Sequence, residues 1–300
     1  MGNQTSRNES EAANSRPHTH RSFSLKFAPH IGLLSTADGL FVHHTGTDPI
    51  DQIKFIADQG FLAFEDDFLK TRDKSVQNLM AREMARTGLE LGSFVGTLVY
   101  DRPTFVMADG RERLLRELEE TIEVAQRVNA SIVTTLSGHH DLRQPRSYQL
   151  ANMIDNMRFC AERAEKAGIT LALEPIDAKG WPGFSVTTIA DAYAIVRAVN
   201  SPAVRLLFDI FHVQVAEGDL IENIDRCWNE IVSFQIADNP GRMEPGTGEI
   251  NYPNVLRHVH QKGFRGILGI EHAVSMPGKS GEERVLQIYR ELDSTLRSMP

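Results

Sequence analysis

Four oxygen-bearing side chains stand at or near the ends of four apolar runs: Glu174 closes Leu171-Ala172-Leu173-Glu174, Asp209 closes Leu206-Leu207-Phe208-Asp209, Gln235 follows Val232-Ser233-Phe234, and Glu271 closes Leu268-Gly269-Ile270-Glu271. If the runs are parallel strands, these groups converge on one face. Carboxylates held that close repel one another and raise each other's pKa unless a cation sits among them. A divalent metal resolves the conflict. Three carboxylates and one amide form an all-oxygen shell that suits a hard or borderline ion such as Mg²⁺ or Mn²⁺ and leaves room for a substrate's own oxygens. The alternative is that each acid serves as a helix cap or a rim salt bridge.

Other polar groups lie near the same strand ends. His212 follows Asp209 by three residues and His272 follows Glu271 directly; the first can orient a ligand or bind a substrate oxygen. The run Pro240-Gly241-Arg242-Met243-Glu244-Pro245-Gly246-Thr247-Gly248-Glu249 is too rich in turn residues for an ordinary helix connection and reads as a binding loop. Arg242 is its only cation, and a planar guanidinium matches a carboxylate at two points, so it predicts an acid-bearing substrate. A salt bridge from Arg242 to Glu244 or Glu249 is the competing reading. Glu65, after Phe61-Leu62-Ala63-Phe64, reaches the same face or, with Asp66 and Asp67, forms a solvated rim. His139, His140 and Asp141 make a further polar cluster, although adjacent histidines rarely point the same way.

The elements that must hold these residues follow from the spacing. The strand-end groups are separated by 35, 26 and 36 residues (174 to 209, 209 to 235, 235 to 271), each gap long enough for a helix, a strand and their loops. That is the period of a β/α barrel. Strands are predicted near 24–28, 61–65, 91–95, 131–136, 169–174, 204–209, 231–236 and 266–271, each followed by a helix. The clearest helix covers 110–129, where Leu114, Leu115, Leu118, Ile122 and Val128 recur at helical spacing. Gly60, Gly88, Gly168 and Gly263 each stand between a helix and the next strand, where glycine accepts the left-handed turn that ends a helix.

The 300 residues, 41% of them hydrophobic, fit one single (β/α)8 TIM barrel over 22–300, preceded by a polar tail over 1–21 that reads as disordered. The tail lacks the apolar core of a signal peptide, and its two glycosylation triplets, at Asn3 and Asn8, carry no weight. A net charge of −8 without any dense basic block argues against binding nucleic acid or an anionic membrane surface, and no run is apolar enough to span a bilayer. Cys160 and Cys227 stand far apart in helical segments, so a disulfide framework is not expected and a reducing, cytoplasmic setting is.

These residues resemble the hydroxypyruvate isomerases, within the xylose isomerase-like barrel superfamily of sugar isomerases and epimerases. The likeness covers Phe23 to about Leu296. It is sharpest at Leu173-Glu174-Pro175-Ile176 with Trp181-Pro182-Gly183, at Phe208-Asp209-Ile210-Phe211-His212-Val213-Gln214 with Glu217-Gly218-Asp219-Leu220, and at Pro240-Gly241-Arg242 with Glu244-Pro245-Gly246-Thr247-Gly248-Glu249-Ile250-Asn251-Tyr252. The resemblance implies that Glu174, Asp209, Gln235 and Glu271 are metal ligands, with Glu174 and Glu271 also the acid/base pair. It implies glutamine at the third ligand position, where epimerases of the superfamily usually have histidine. The chain departs from the pattern at Met243, where histidine usually follows the loop arginine, at Asp177, where asparagine is common, and at His30, near a usual asparagine. All three positions are expected to face the substrate.

The implied reaction interconverts a hydroxyketone and a hydroxyaldehyde, as in hydroxypyruvate to 2-hydroxy-3-oxopropanoate, through an enediolate and with Arg242 anchoring the substrate carboxylate. An epimerase or β-eliminating lyase on a keto-sugar would use the same metal and glutamates, since it also begins by taking a proton beside a carbonyl. A noncatalytic barrel that binds a sugar acid or a partner protein is the third reading. Barrels of this superfamily often associate, so a homo-oligomer is compatible with the chain, but no surface stripe fixes a number.

Overall fold

The computed structural model describes residues 22–97 and 100–297; the predicted tail over 1–21 lies outside them. Eight parallel strands follow in chain order: β1 Lys26–Pro29, β2 Ala63–Phe64, β3 Glu90–Leu91, β4 Ile132–Leu136, β5 Thr170–Glu174, β6 Val204–Asp209, β7 Ile231–Ile236 and β8 Ile267–Ile270. Six of them form a continuous sheet in the order β1-β8-β7-β6-β5-β4, and β2 pairs with β3. Parallel bridges from His30 to Glu65 and from Val95 to Thr134 close the two remaining seams. The result is the (β/α)8 barrel that the spacing predicts.

The strand sequences explain this closure. Ile-Val-Thr-Thr-Leu, Val-Arg-Leu-Leu-Phe-Asp and Ile-Val-Ser-Phe-Gln-Ile are rich in β-branched and apolar residues and almost wholly buried, as strands covered on both faces must be. The helices turn one apolar stripe inward. In Arg111–Val128 the buried positions are Leu114, Leu118, Thr121, Val124, Ala125 and Val128, and Leu115 and Ile122 are only partly covered. The four glycines placed between helix and strand, Gly60, Gly88, Gly168 and Gly263, all have positive φ.

Inside the barrel, Gly269 on β8 and Gly92 just after β3 make room for a buried acid. A Cβ on Gly269 of β8 would collide with Glu65 Oε2, and one on Gly92 would press on the same side chain, so Glu65 occupies space that any other residue pair would fill. Cys160 and Cys227 are free and buried. Among the described residues, no helix is long and apolar enough to cross a membrane.

Candidate active site

The parallel strands bring the four strand-end groups to the same end of the barrel. Asp209 pairs with Gln235 across β6 and β7, and Gln235 pairs with Gly269, two residues before Glu271. All four are buried. Asp209 serves two purposes at once. Its Oδ1 caps the helix Ile210–Ala216 by accepting from the amides of Phe211 (2.7 Å) and His212 (3.3 Å), while its buried Oδ2 has no hydrogen-bond partner. Gln235 is similar: its Nε2 leans toward Glu65 Oε2 at 3.5 Å and its buried Oε1 is unpartnered.

Arg242 enters this cluster from the loop after β7. Its backbone sits in the left-handed region, φ 54, held by an N–H bond to the Asp238 carbonyl (2.9 Å) and by a bond from the Ala273 amide to its own carbonyl (3.0 Å). The guanidinium donates to Glu271 Oε2 at 2.6 Å, stands 3.6 Å from Asp209 Oδ2 and lies over the Phe211 ring. It does not pair with Glu244 or Glu249. Glu244 instead accepts from Ser275, and Glu249 accepts from Asn239 and Gln214.

His212 is buried beside these acids. Its Nδ1 lies 2.7 Å from Asp177 Oδ2, and its Nε2 lies 3.6 Å from Asp209 Oδ2 and 3.8 Å from Glu174 Oε1. One ligand atom from each of Glu174, Asp209 and His212 falls within 4.8 Å of the other two.

The electrostatics follow from burial. Loss of water pushes the Glu174 carboxyl well above its ordinary range, and the charges of Glu271 and Asp209 push it further. Glu65 is raised to about 8, first by burial and then by Glu271. Glu271 is raised by burial despite Arg242 beside it. Burial also works to raise Asp177, but hydrogen bonds from His212 and the Gly180 amide outweigh it and hold that carboxyl below the usual range. Acids displaced upward together, beside two orphaned buried oxygens, form a charge arrangement that a divalent cation would relieve. The donor set fits such an ion.

These groups open onto a cavity of about 320 Å³. Asp67, Glu174, His212, Arg242 and Glu271 are its charged and titratable part, and the remainder, apart from Tyr100, is apolar, including Phe68, Ile176 and Trp181. A larger surface groove, about 650 Å³, lies elsewhere, along the helices Pro49–Asp58 and Lys279–Arg297, and holds none of the strand-end residues.

Several positions differ from the sequence reading. The acidic run after β2 is not a solvated rim: Asp66 is buried in an ion pair with Arg72 (2.6 Å), and Asp67 lies on the cavity wall, its carboxyl pushed well up by burial and by the charges of Glu271, Glu65 and Glu174. Asp67 is a cavity-lining acid that the sequence reading placed only in the rim alternative. Glu65 and His30 are not on the cavity wall. Glu65 accepts from Ser93 (3.1 Å) within the barrel, and His30 Nε2 donates to the His272 carbonyl (3.0 Å), leaving a buried Nδ1 without a partner. Burial lowers His30 to about 4, so the ring is neutral. His272 bridges the Ala273 carbonyl and the Tyr289 hydroxyl and stacks on Tyr289, a packing role. The His139–Asp141 cluster diverges: His139 packs on Phe184, His140 donates to the Gly183 carbonyl, and Asp141 pairs with Arg143.

With this geometry in place, comparison with known proteins is informative. A family model described as xylose isomerase-like TIM barrel matches residues 53–292. The hydroxypyruvate isomerase of Escherichia coli (strain K12) is 34% identical over 131 residues, 44% of this chain and 51% of that protein. The chain thus aligns with about half the length of that relative. The 2-oxo-tetronate isomerase of Pectobacterium atrosepticum is 27% identical over 251 residues, covering 82% of this chain and 91% of that protein. A crystal structure of AP endonuclease, family 2, from Brucella melitensis superposes with a TM-score of 0.75 at 24% identity, over 86% of this chain and 96% of its own, a likeness of fold.

Proposed function

The chain belongs to the xylose isomerase-like TIM barrel family, and from that premise we propose that it is a divalent-metal-dependent isomerase of small 2-keto acids, with hydroxypyruvate to 2-hydroxy-3-oxopropanoate as the reaction. The observation that carries this reading is the joint exposure of Glu174 and Glu271 to one cavity whose only strong cation among the described residues is Arg242, beside orphaned oxygens on Asp209 and Gln235. Names of relatives at 34% and 27% identity point the same way.

Glu174, Asp209, Gln235 and Glu271 would hold the ion. When bound, a Mg²⁺ or Mn²⁺ ion would supply Lewis acidity toward adjacent substrate oxygens and acidify the neighbouring C–H. Arg242 anchors the substrate carboxylate. One of the two glutamates removes a proton from C3, the electron pair moves into an enediolate, and a glutamate returns a proton to C2 while the hydroxyl proton passes from O3 to O2. Apolar walls exclude bulk water from the charged intermediate.

The cavity volume bears on the substrate. At about 30 Å³ per water, 320 Å³ equals roughly ten waters, more than a three-carbon acid fills. That favours a second reading, in which the same centre isomerises or epimerises a longer keto acid or keto-sugar.

The test is a proton NMR time course in D₂O with metal-loaded protein, hydroxypyruvate, 2-oxo-tetronate and a panel of keto-sugars. Conversion of hydroxypyruvate with deuterium entering the product supports the isomerase and its enediolate route. Turnover of a longer substrate alone moves the assignment to the second reading. No conversion or solvent exchange on any compound sinks both.

A further inference from the structure

We infer that the substrate carries an apolar group on C3, seated in a second chamber that continues the reaction cavity past Arg242. The substrate class is then a 3-hydroxy-2-keto acid with an apolar tail, and it rests on the isomerase reading of the first cavity. The second chamber, about 480 Å³, shares four wall residues with the first: Leu33, Leu34, Trp181 and Arg242. Arg242 therefore stands at the junction. Its Nη2 donates to Glu271 at 2.6 Å, while its Nε is buried without a hydrogen-bond partner, a donor left for a substrate carboxylate. With the head group held there, a substituent on C3 has the outer chamber beside it.

The remaining walls decide the chemistry of that substituent. Phe211, Val215 and Pro240 add apolar surface. Of the polar side chains besides Arg242, Asp177 is taken by His212 (2.7 Å) and the Gly180 amide (2.6 Å), and Asn239 commits its amide group to Glu249 (2.6 Å), which leaves the exposed Lys179. A polyol chain would find few partners. At the mouth, Leu34 is 65% exposed and Trp181 43%. Both are on anchored turns: the Leu33 and Leu34 amides donate to the Asp38 carboxylate at 2.8 and 2.7 Å, and the Trp181 amide donates to the Asp177 carbonyl at 3.1 Å. Large apolar side chains fixed against water at the edge of a reaction cavity gain when an apolar ligand covers them. The reaction keeps its balance with the tail in place. A proton leaves C3, the electron pair moves into the enediolate, a proton arrives at C2 and the hydroxyl proton passes from O3 to O2, giving the isomeric 2-hydroxy-3-keto acid.

The chain has two tryptophans, and Trp228 lines neither chamber, so Trp228→Phe leaves Trp181 as the reporter. Emission of the Mg²⁺-loaded full chain is titrated with straight-chain 2-keto acids from 2-oxopropanoate to 2-oxohexanoate, which lack the 3-hydroxyl and cannot be isomerised. The dissociation constant should fall about fourfold per methylene, with a blue shift as the tail covers Trp181. Leu34→Ser should flatten that trend, whereas Arg242→Met should weaken every member by one common factor and keep the slope. A trend that survives Leu34→Ser puts the tail elsewhere and overturns the inference, and so does tighter binding of 6-hydroxy-2-oxohexanoate than of 2-oxohexanoate, which makes the chamber polar. Short keto acids that bind through Arg242 with no gain from length overturn it as well and leave the isomerase reading intact. No binding of any 2-keto acid by the metal-loaded chain overturns both.

Discussion

Removing the Asp238 carboxylate should release the loop that carries Arg242. Asp238 is fully buried, and its two oxygens accept from four backbone amides: Asn239 (2.9 Å), Gly246 (2.8 Å), Gly248 (2.9 Å) and Ile250 (3.1 Å). Hydrogen bonds to a charged group contribute about 1.5–3 kcal/mol each, so a simple sum would reach roughly 6–12 kcal/mol. Solvent reduces it. Gly246 and Gly248 are exposed, and their amides rehydrate once the acceptor is gone, whereas Ile250 is buried and Asn239 half-buried. Two poorly rehydrated donors at about 1–3 kcal/mol each, together with the lost burial around them, set the expected cost of Asp238→Ala at about 3–5 kcal/mol. Asp238→Asn keeps one oxygen and should cost about half as much.

Two readouts apply, because the loop either unfolds with the barrel or opens alone. Urea denaturation reports the first, and hydrogen exchange at the Ile250 amide together with KM reports the second. Since Arg242 bonds the Asp238 carbonyl and depends on the same turn, local opening should raise KM for a carboxylate substrate without moving the urea midpoint. A variant that loses less than about 1 kcal/mol, exchanges Ile250 at the normal rate and keeps its KM would show that this carboxylate does not organise the loop.

Other expectations test the chemistry. Glu65 has a folded pKa of about 8 against an ordinary 4.5, so the folded state keeps a proton that the unfolded chain releases; its contribution is favourable below about pH 4.5 and is lost as pH rises to 8. Urea midpoints of metal-free protein at pH 5, 7 and 9 should therefore fall less steeply in Glu65→Gln, by at most about 5 kcal/mol at about 1.4 kcal/mol per pKa unit, and parallel curves would contradict the burial argument. Glu174→Gln and Glu271→Gln should each lower kcat by about 10²- to 10⁴-fold while a thermal shift with Mn²⁺ persists, and near-normal turnover in either would remove it from the acid/base pair. Arg242→Met should cost about 3 kcal/mol, roughly 100-fold in kcat/KM for an acid substrate, with partial recovery in Arg242→Lys; an unchanged KM would mean the substrate carboxylate is held elsewhere.

Much of this site was legible because a parallel barrel converts sequence period into spatial convergence. Glu174, Asp209, Gln235 and Glu271 share nothing locally except their place after an apolar run, and the parallel order of β5 to β8 brings them to one end of the barrel. The short strands β2 and β3 were harder to bound, since two paired residues each carry little pattern of their own. Partners distant in sequence were not legible. Arg242 finds Glu271 and Asp209, not the neighbouring acids, because a turn folded around a buried Asp238 and a left-handed φ set its course, and neither is visible in composition.

Asp67 shows where a rule already available would have reached further. Three consecutive acids read as a solvated run, yet extended backbone alternates sides, so Glu65 and Asp67 belong together and Asp66 is opposed to both. The three side chains separate that way, although Asp67 itself stands in a turn beyond β2. Glu65 fills the barrel between Gly92 and Gly269, Asp67 reaches the cavity, and Asp66 turns to Arg72. The glycines give the same message from the opposite strands: space cleared inside a packed barrel is occupied by a group whose burial costs stability, and such a cost is retained where the group serves the site. Strand-end acids, alternating acids and strand glycines together therefore define the polar interior more fully than the ends alone.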